Sequence, residues 1–136
     1  MGGIEYAAAL EADLNAMDFR LKIWGHWCRL GNQNPLLWET DDPNGLQLTT
    51  YQVRDANKLQ LMVMRLPILH RMTVQVHYVD KGDNGEIGKR KKWEEVNARL
   101  RKAEEYRRIS RGDYERVWQR ALRIIINSER VMTAPL

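Results

Sequence analysis

The sequence predicts an all-α protein, a helical bundle that closes on a C-terminal helix-turn-helix, and three observations carry that prediction. Apolar residues recur three and four apart through residues 4–30. The same spacing returns across residues 54–80, divided at Pro67. Across residues 109–123, ISRGDYERVWQRALR, side chains sort into an apolar arc and a basic arc at about 100° per residue.

In residues 4–30, Ala7, Leu10, Leu14, Met17, Leu21, Trp24 and Cys28 form the seam of a packed helix, with helix pairing as the alternative use of the stripe. Gly31 supplies the stop. Residues 31–53 hold Gly31, Pro35 and DDPNG at 41–45 with no sustained period, which reads as a loop. Its Leu36, Leu37 and Trp38 argue that it packs on something, and its acids make a protein a better partner than DNA. Residues 54–80 read as two helical pieces. Leu59, Met62, Val63 and Leu66 line the first, and Leu69, Met72, Thr73, Val76 and Val79 line the second. Pro67 separates them because it lacks a donor and pushes Leu66 toward an extended form.

Residues 81–92, KGDNGEIGKRKK, are a glycine-rich turn and then a basic run. They read as a solvated loop, with a small β-hairpin near 79–91 around Asn84-Gly85 as the alternative. In the functional reading, Lys89, Arg90, Lys91 and Lys92 are an arm that neutralises DNA phosphates without reading sequence. Residues 93–106 follow as a helix with Val96, Leu100 and Ala103 inward, then a short break at 107–110. Ser110 suits the N-cap of the next helix and Asp113 its third position. A helix, a short turn and a second helix that is basic outside and apolar inside is the helix-turn-helix plan. Residues 132–136 read as a fraying tail.

The length of 136 residues suits one domain, organised as a helical core in 1–80 and a basic insert plus helix-turn-helix in 81–136. A single cysteine rules out an internal disulfide and argues against a cysteine-rich zinc site. No stretch approaches the roughly 18 apolar residues of a membrane span. The first residues lack the basic start of a secretory signal, so a soluble protein of a reducing compartment is expected. The net charge of +4 is uneven: residues 1–80 carry 7 Lys and Arg against 9 Asp and Glu, residues 81–136 carry 15 against 9. A basic C-terminal half points to a polyanion.

That charge concentrates in the last helix. Tyr114, Val117, Trp118, Ala121, Leu122, Ile124 and Ile125 share one arc, while Gly112, Asp113, Arg116, Gln119, Arg120 and Arg123 share the other. A merely solvated face usually mixes signs. Arg and Gln instead match guanine and adenine edges in the major groove. The candidate contacts to double-stranded DNA are Ser110, Arg111, Asp113, Arg116, Gln119, Arg120 and Arg123, with the 89–92 arm on the backbone. Tyr114 and Trp118 have the spacing of core residues, with base stacking as the alternative.

Three segments in order, WGHW at 24–27, RLPILHRMTVQVHYV at 65–79 and ISRGDYERVWQRAL at 109–122, resemble the phage late-gene antitermination protein Q family, in its branch without a zinc site. The three segments hold 33 residues, spread over most of the chain. It implies a terminal helix-turn-helix similar to region 4 of bacterial sigma factors. It also implies binding to a DNA element beside a late promoter, loading onto paused host RNA polymerase, and read-through of terminators in the bacterial cytoplasm. Carried onto this sequence, the recognition helix is 110–123, and the N-terminal helix and the 31–53 loop are available to polymerase. The chain departs from the family between Tyr78 and Ile109, 31 residues apart, which leaves open which helix is first of the pair.

An enzyme is the competing class. His26, Cys28, His70 and His77 are the only set to weigh for a metal, and His70 and His77 lie seven apart on one helical face. No HExxH, CxxC or glycine-rich phosphate loop occurs, so no catalytic residue, cofactor or metal is expected. A third class is a module whose basic face meets an acidic protein; salt-dependent binding to duplex DNA separates it from a reader. Oligomeric state is not fixed by the sequence.

Overall fold

The computed structural model describes residues 3–29, 48–80, 88–103 and 108–133, with the side chains of 3–8, 80, 88–91 and 133 outside that set. Five α-helices account for nearly all of it: α1 (Gly3–Arg29), α2 (Thr50–Met64), α3 (Ile68–Gln75), α4 (Gly88–Lys102) and α5 (Arg111–Thr133). A π-helical turn, Val76–Asp80, continues α3. The fold is all-α, and no strand occurs among the described residues. None of the described helices is long and apolar enough to cross a membrane.

The expected seam of α1 does face inward. Met17, Leu21 and Trp24 are buried, and Leu14 and Cys28 pack against the same cluster. α2 begins at Thr50 rather than after residue 53, because Thr49 forms a capping box. Its hydroxyl accepts from the Gln52 amide at 3.1 Å, and the Gln52 side chain accepts from the Thr49 amide at 2.9 Å. The part of the expected 31–53 loop at 31–47 lies outside the described residues. Pro67 separates α2 from α3 as its lack of a donor requires, and serves as the cap residue of α3.

Two apolar clusters organise the molecule. The larger joins α1, α2, the 76–80 turn and the later turns of α5 through Trp24, Leu59, Val63, Tyr78, Leu122 and Ile125. The smaller joins α3, α4 and the first turns of α5 through Leu69, Val96, Leu100, Ile109 and Tyr114. α5 therefore belongs to both, and the core runs across the boundary between the acidic and the basic half of the sequence.

α1 meets the 76–80 turn backbone to backbone. A Cβ on Gly25 would overlap the Tyr78 carbonyl oxygen, which also accepts from Arg29 Nη1. Glycine at 25 is what allows the helix to come this close. The Trp24-Gly25-His26-Trp27 step and the His77-Tyr78-Val79 step, far apart in sequence, are thus neighbours in space.

The region 79–91 needs correction. Val79 and Asp80 belong to the π-helical turn and residues 88–91 to α4, so neither flank of the expected hairpin is a strand; residues 81–87 lie outside the described set. The basic run is not a loop but the first turn of α4. Lys92 is only 7% exposed, against the expectation of a free phosphate contact. The reason is register: Lys92, Val96 and Leu100 stand four apart on the inner side of α4, and a lysine stem is apolar enough to pack there.

Candidate nucleic-acid interface

The start of α5 is fixed from both sides. Ser110 is its cap: the Ser110 hydroxyl oxygen accepts from the Asp113 amide at 3.2 Å and donates to the Asp113 carboxylate at 2.8 Å. One residue earlier, the Asn97 side chain of α4 grips the Ile109 backbone, donating to its carbonyl at 3.0 Å and accepting from its amide at 3.1 Å. Trp93 Nε1 donates to the same carbonyl. Asn97 and Trp93 therefore set where the chain leaves the α4 side and turns into α5.

The rotation of α5 about its own axis is fixed from within. Tyr114 is buried, and its hydroxyl lies 3.0 Å from His77 Nδ1. Trp118 Nε1 donates to the Tyr78 hydroxyl at 2.9 Å, and that hydroxyl donates to Asp18 at 2.6 Å. The His77 ring stacks on Trp118 with centroids 5.0 Å apart. Burial raises the pKa of both tyrosines, so they stay neutral hydrogen-bonding groups. Both aromatic side chains of this helix have their polar atoms committed inside the protein, with Tyr114 buried in the core and Trp118 half-buried against the larger cluster, which favours packing over base stacking.

With that face held inward, the opposite arc is exposed. Arg116, Arg120, Arg123 and Asn127 follow at steps of four, three and four, within an arc of about 60°. All four are exposed, the Arg116 side chain at 82%. Together with half-buried Gln119 and Ile124 they line one shallow concavity. From residue 116 to 127 the stripe runs about 16 Å along the helix axis. Arg116 pairs with one described acid, Asp113, at 3.5 Å. Such an exposed pair contributes at most about 1 kcal/mol, so the guanidinium is readily released to another anion. Among the described residues no carboxylate pairs with Arg111, Arg120 or Arg123.

The expected site residues therefore separate into groups. Arg116, Gln119, Arg120 and Arg123 come together on one surface. Arg111 is exposed but stands about 140° around the helix from Arg116. Ser110 and Asp113 are occupied with capping one another. Lys92 is buried, and the side chains of Lys89, Arg90 and Lys91 lie outside the described set. Two residues were missed. Asn127 continues the stripe beyond the recognition segment drawn at 110–123, because α5 runs on to Thr133; the next step of four from Arg123, a lone amide after three isoleucines, was the available signal. Asn97 positions the helix through the backbone of residue 109, and no spacing rule announces that.

The four residues weighed as a metal set do not form one. His77 is stacked and hydrogen-bonded to Tyr114, and Cys28 Sγ lies 3.9 Å from Gln60 Oε1. Among the described residues no three His, Cys, Asp or Glu side chains converge. No protein-family profile, curated protein or solved structure matches the chain.

Proposed function

We propose that this protein reads double-stranded DNA with α5, as a binding protein and not an enzyme. The observation that carries the reading is the exposed Arg116, Arg120, Arg123 and Asn127 stripe on a helix whose rotation the core fixes. The major groove is about 12 Å wide and admits a helix, and bidentate Arg–guanine and Asn or Gln–adenine pairs are its commonest specific contacts. Positions 116, 119, 120 and 123 also have the i, i+3, i+4, i+7 spacing with which helices laid in that groove reach base edges. α4 packs on α5 and serves as the supporting helix of the pair.

Within that class, the resemblance to antitermination protein Q supports a narrower reading. The protein acts as a phage antitermination factor that binds a DNA element near a late promoter, loads onto paused host RNA polymerase and carries it past terminators. Two experiments test the two levels. Selection of duplexes from a random pool, followed by titration at several salt concentrations, should yield a preferred sequence. Log affinity should fall linearly with log salt, about 0.9 per phosphate contacted. Absence of duplex binding at low salt removes the reading altogether. Transcription through a terminator, from a template carrying the selected element upstream of a paused polymerase, tests the narrower level. Sequence-specific binding without read-through leaves an ordinary helix-turn-helix regulator.

A further inference from the structure

Six large apolar side chains stand well exposed among the described residues, and four of them, Leu61, Met64, Val131 and Met132, belong to the last turns of α2 and α5. Between these helix ends lies a groove of about 470 Å³, lined by Met62, Ile124, Val131 and Met132 with Arg65 among its polar residues. Val131 is 77% exposed and Met132 55%, so no described element covers this surface. Solvent-facing apolar side chains grouped in a concavity mark an interaction site more often than scattered ones do. Two of the lining residues are methionines, whose flexible thioethers adapt to the shape of whatever docks.

The charge around the groove indicates what that is. Arg65 caps the C-terminus of α2, where its amide bonds to the Met62 and Val63 carbonyls, so its place on the rim is fixed. Its guanidinium is exposed and pairs with no described carboxylate. Beyond the groove along α5 come Arg123 and Arg120, also exposed. No acid lines it. Glu129, the nearest carboxylate in α5, is drawn to Arg20 at 2.7 Å and Lys58 at 3.2 Å. An apolar groove with a one-sided basic rim complements an apolar stripe flanked by acids. The backbone of the guest also matters. A peptide that docks by strand addition needs a row of free sheet-edge groups, and the described residues contain no strand. A helix satisfies its own backbone and presents anchors at i, i+3, i+4 and i+7.

We infer that the groove between the C-terminal ends of α2 and α5 docks an amphipathic helix of a partner protein that carries acidic residues beside its apolar stripe. The inference does not depend on DNA binding, although the groove shares Ile124 and Asn127 with the stripe. A partner seated there would therefore touch the edge of the DNA face.

The probe is a synthetic amphipathic helix with leucines at i, i+3, i+4 and i+7 and glutamates on both flanks, titrated by fluorescence anisotropy without DNA. Its controls are a peptide with lysines for the glutamates and a scrambled peptide. The glutamate peptide should bind at least about tenfold tighter than the lysine peptide. Arg65→Glu should reverse that order. Val131→Asp, at an exposed position, should weaken both peptides by about tenfold or more while the melting temperature stays. Equal binding of the glutamate and lysine peptides, or no binding of the glutamate peptide at millimolar concentration, overturns the inference. So does indifference to both substitutions. Self-association of the protein alone that Val131→Asp abolishes overturns it in favour of a second copy. Binding to phosphatidylglycerol vesicles that needs Arg65 and Val131, with no peptide binding, overturns it in favour of a lipid surface.

Discussion

Two basic segments of the chain look alike as sequence and fold to opposite ends. Residues 89–92 are four consecutive cations, and residues 116–123 hold three arginines spaced four and three apart. In a helix, consecutive residues turn by about 100°, so four in a row sweep most of the circumference and at least one must face the core. Lys92 does so, 7% exposed and in register with Val96 and Leu100. Spacing of three and four keeps Arg116, Arg120 and Arg123 on the same side, and all three are exposed. The number of charges indicates attraction to a polyanion. Only their spacing shows whether a helix can present them as one surface.

The sharpest way to break this contrast is to change one cation in each segment and read both DNA affinity and stability. Arg120→Ala and Arg123→Ala should each cost about 1–3 kcal/mol at a specific DNA site, measured by anisotropy at fixed salt. The midpoint of urea unfolding should move by less than about 0.5 kcal/mol. Lys92→Ala should do the reverse, lowering stability by roughly 0.5–3 kcal/mol through lost packing of its stem while leaving discrimination between specific and random DNA unchanged. If Lys92→Ala erases that discrimination and keeps stability, the contrast is wrong.

A smaller effect is expected where α5 begins. Ser110→Ala removes the side-chain cap and should destabilise by about 1 kcal/mol in the same unfolding assay. Hydrogen exchange should quicken at the amides of residues 111–114 and remain slow at Leu122 and Ile125, which the larger cluster protects.

The smallest effect concerns the ion pairs near the C-terminal end of α5. The hydrogen bond from Arg20, reinforced by Lys58, holds the Glu129 carboxyl down at about 2. A depressed carboxylate contributes stability that is fully present above its unfolded value of about 4.5 and is lost as pH falls toward 2. Thermal midpoints taken down that range should drop less steeply in Glu129→Gln than in the parent protein. Equal slopes would show that the pairing adds nothing to the fold.

Much of the fold was readable in the sequence because it obeys local rules. The α1 seam, the Pro67 break and the Ser110 cap each follow from residue type and spacing alone. The features that were not readable depend on contacts between distant segments. The first turn of α4 has glycine and adjacent charges, poor material for an isolated helix, and it forms because Trp93, Val96 and Leu100 just beyond it have α3 and α5 to pack against. The recognition segment was drawn to Arg123, the last arginine of the polar arc. Ile125 and Ile126 carry α5 onward by packing into the larger cluster, and Asn127 joins the stripe as a result. In the site, four of the candidate residues share one surface, while Ser110 and Asp113 turn out to shape the helix end.

α5 is held along its length like a shaft in two bearings, one cluster at each end. A helix so mounted neither folds nor pivots when it meets a ligand. Association with DNA should then resemble the docking of a finished part. Calorimetry should find a heat-capacity change accounted for by the contact surface alone, without the large negative increment of coupled folding.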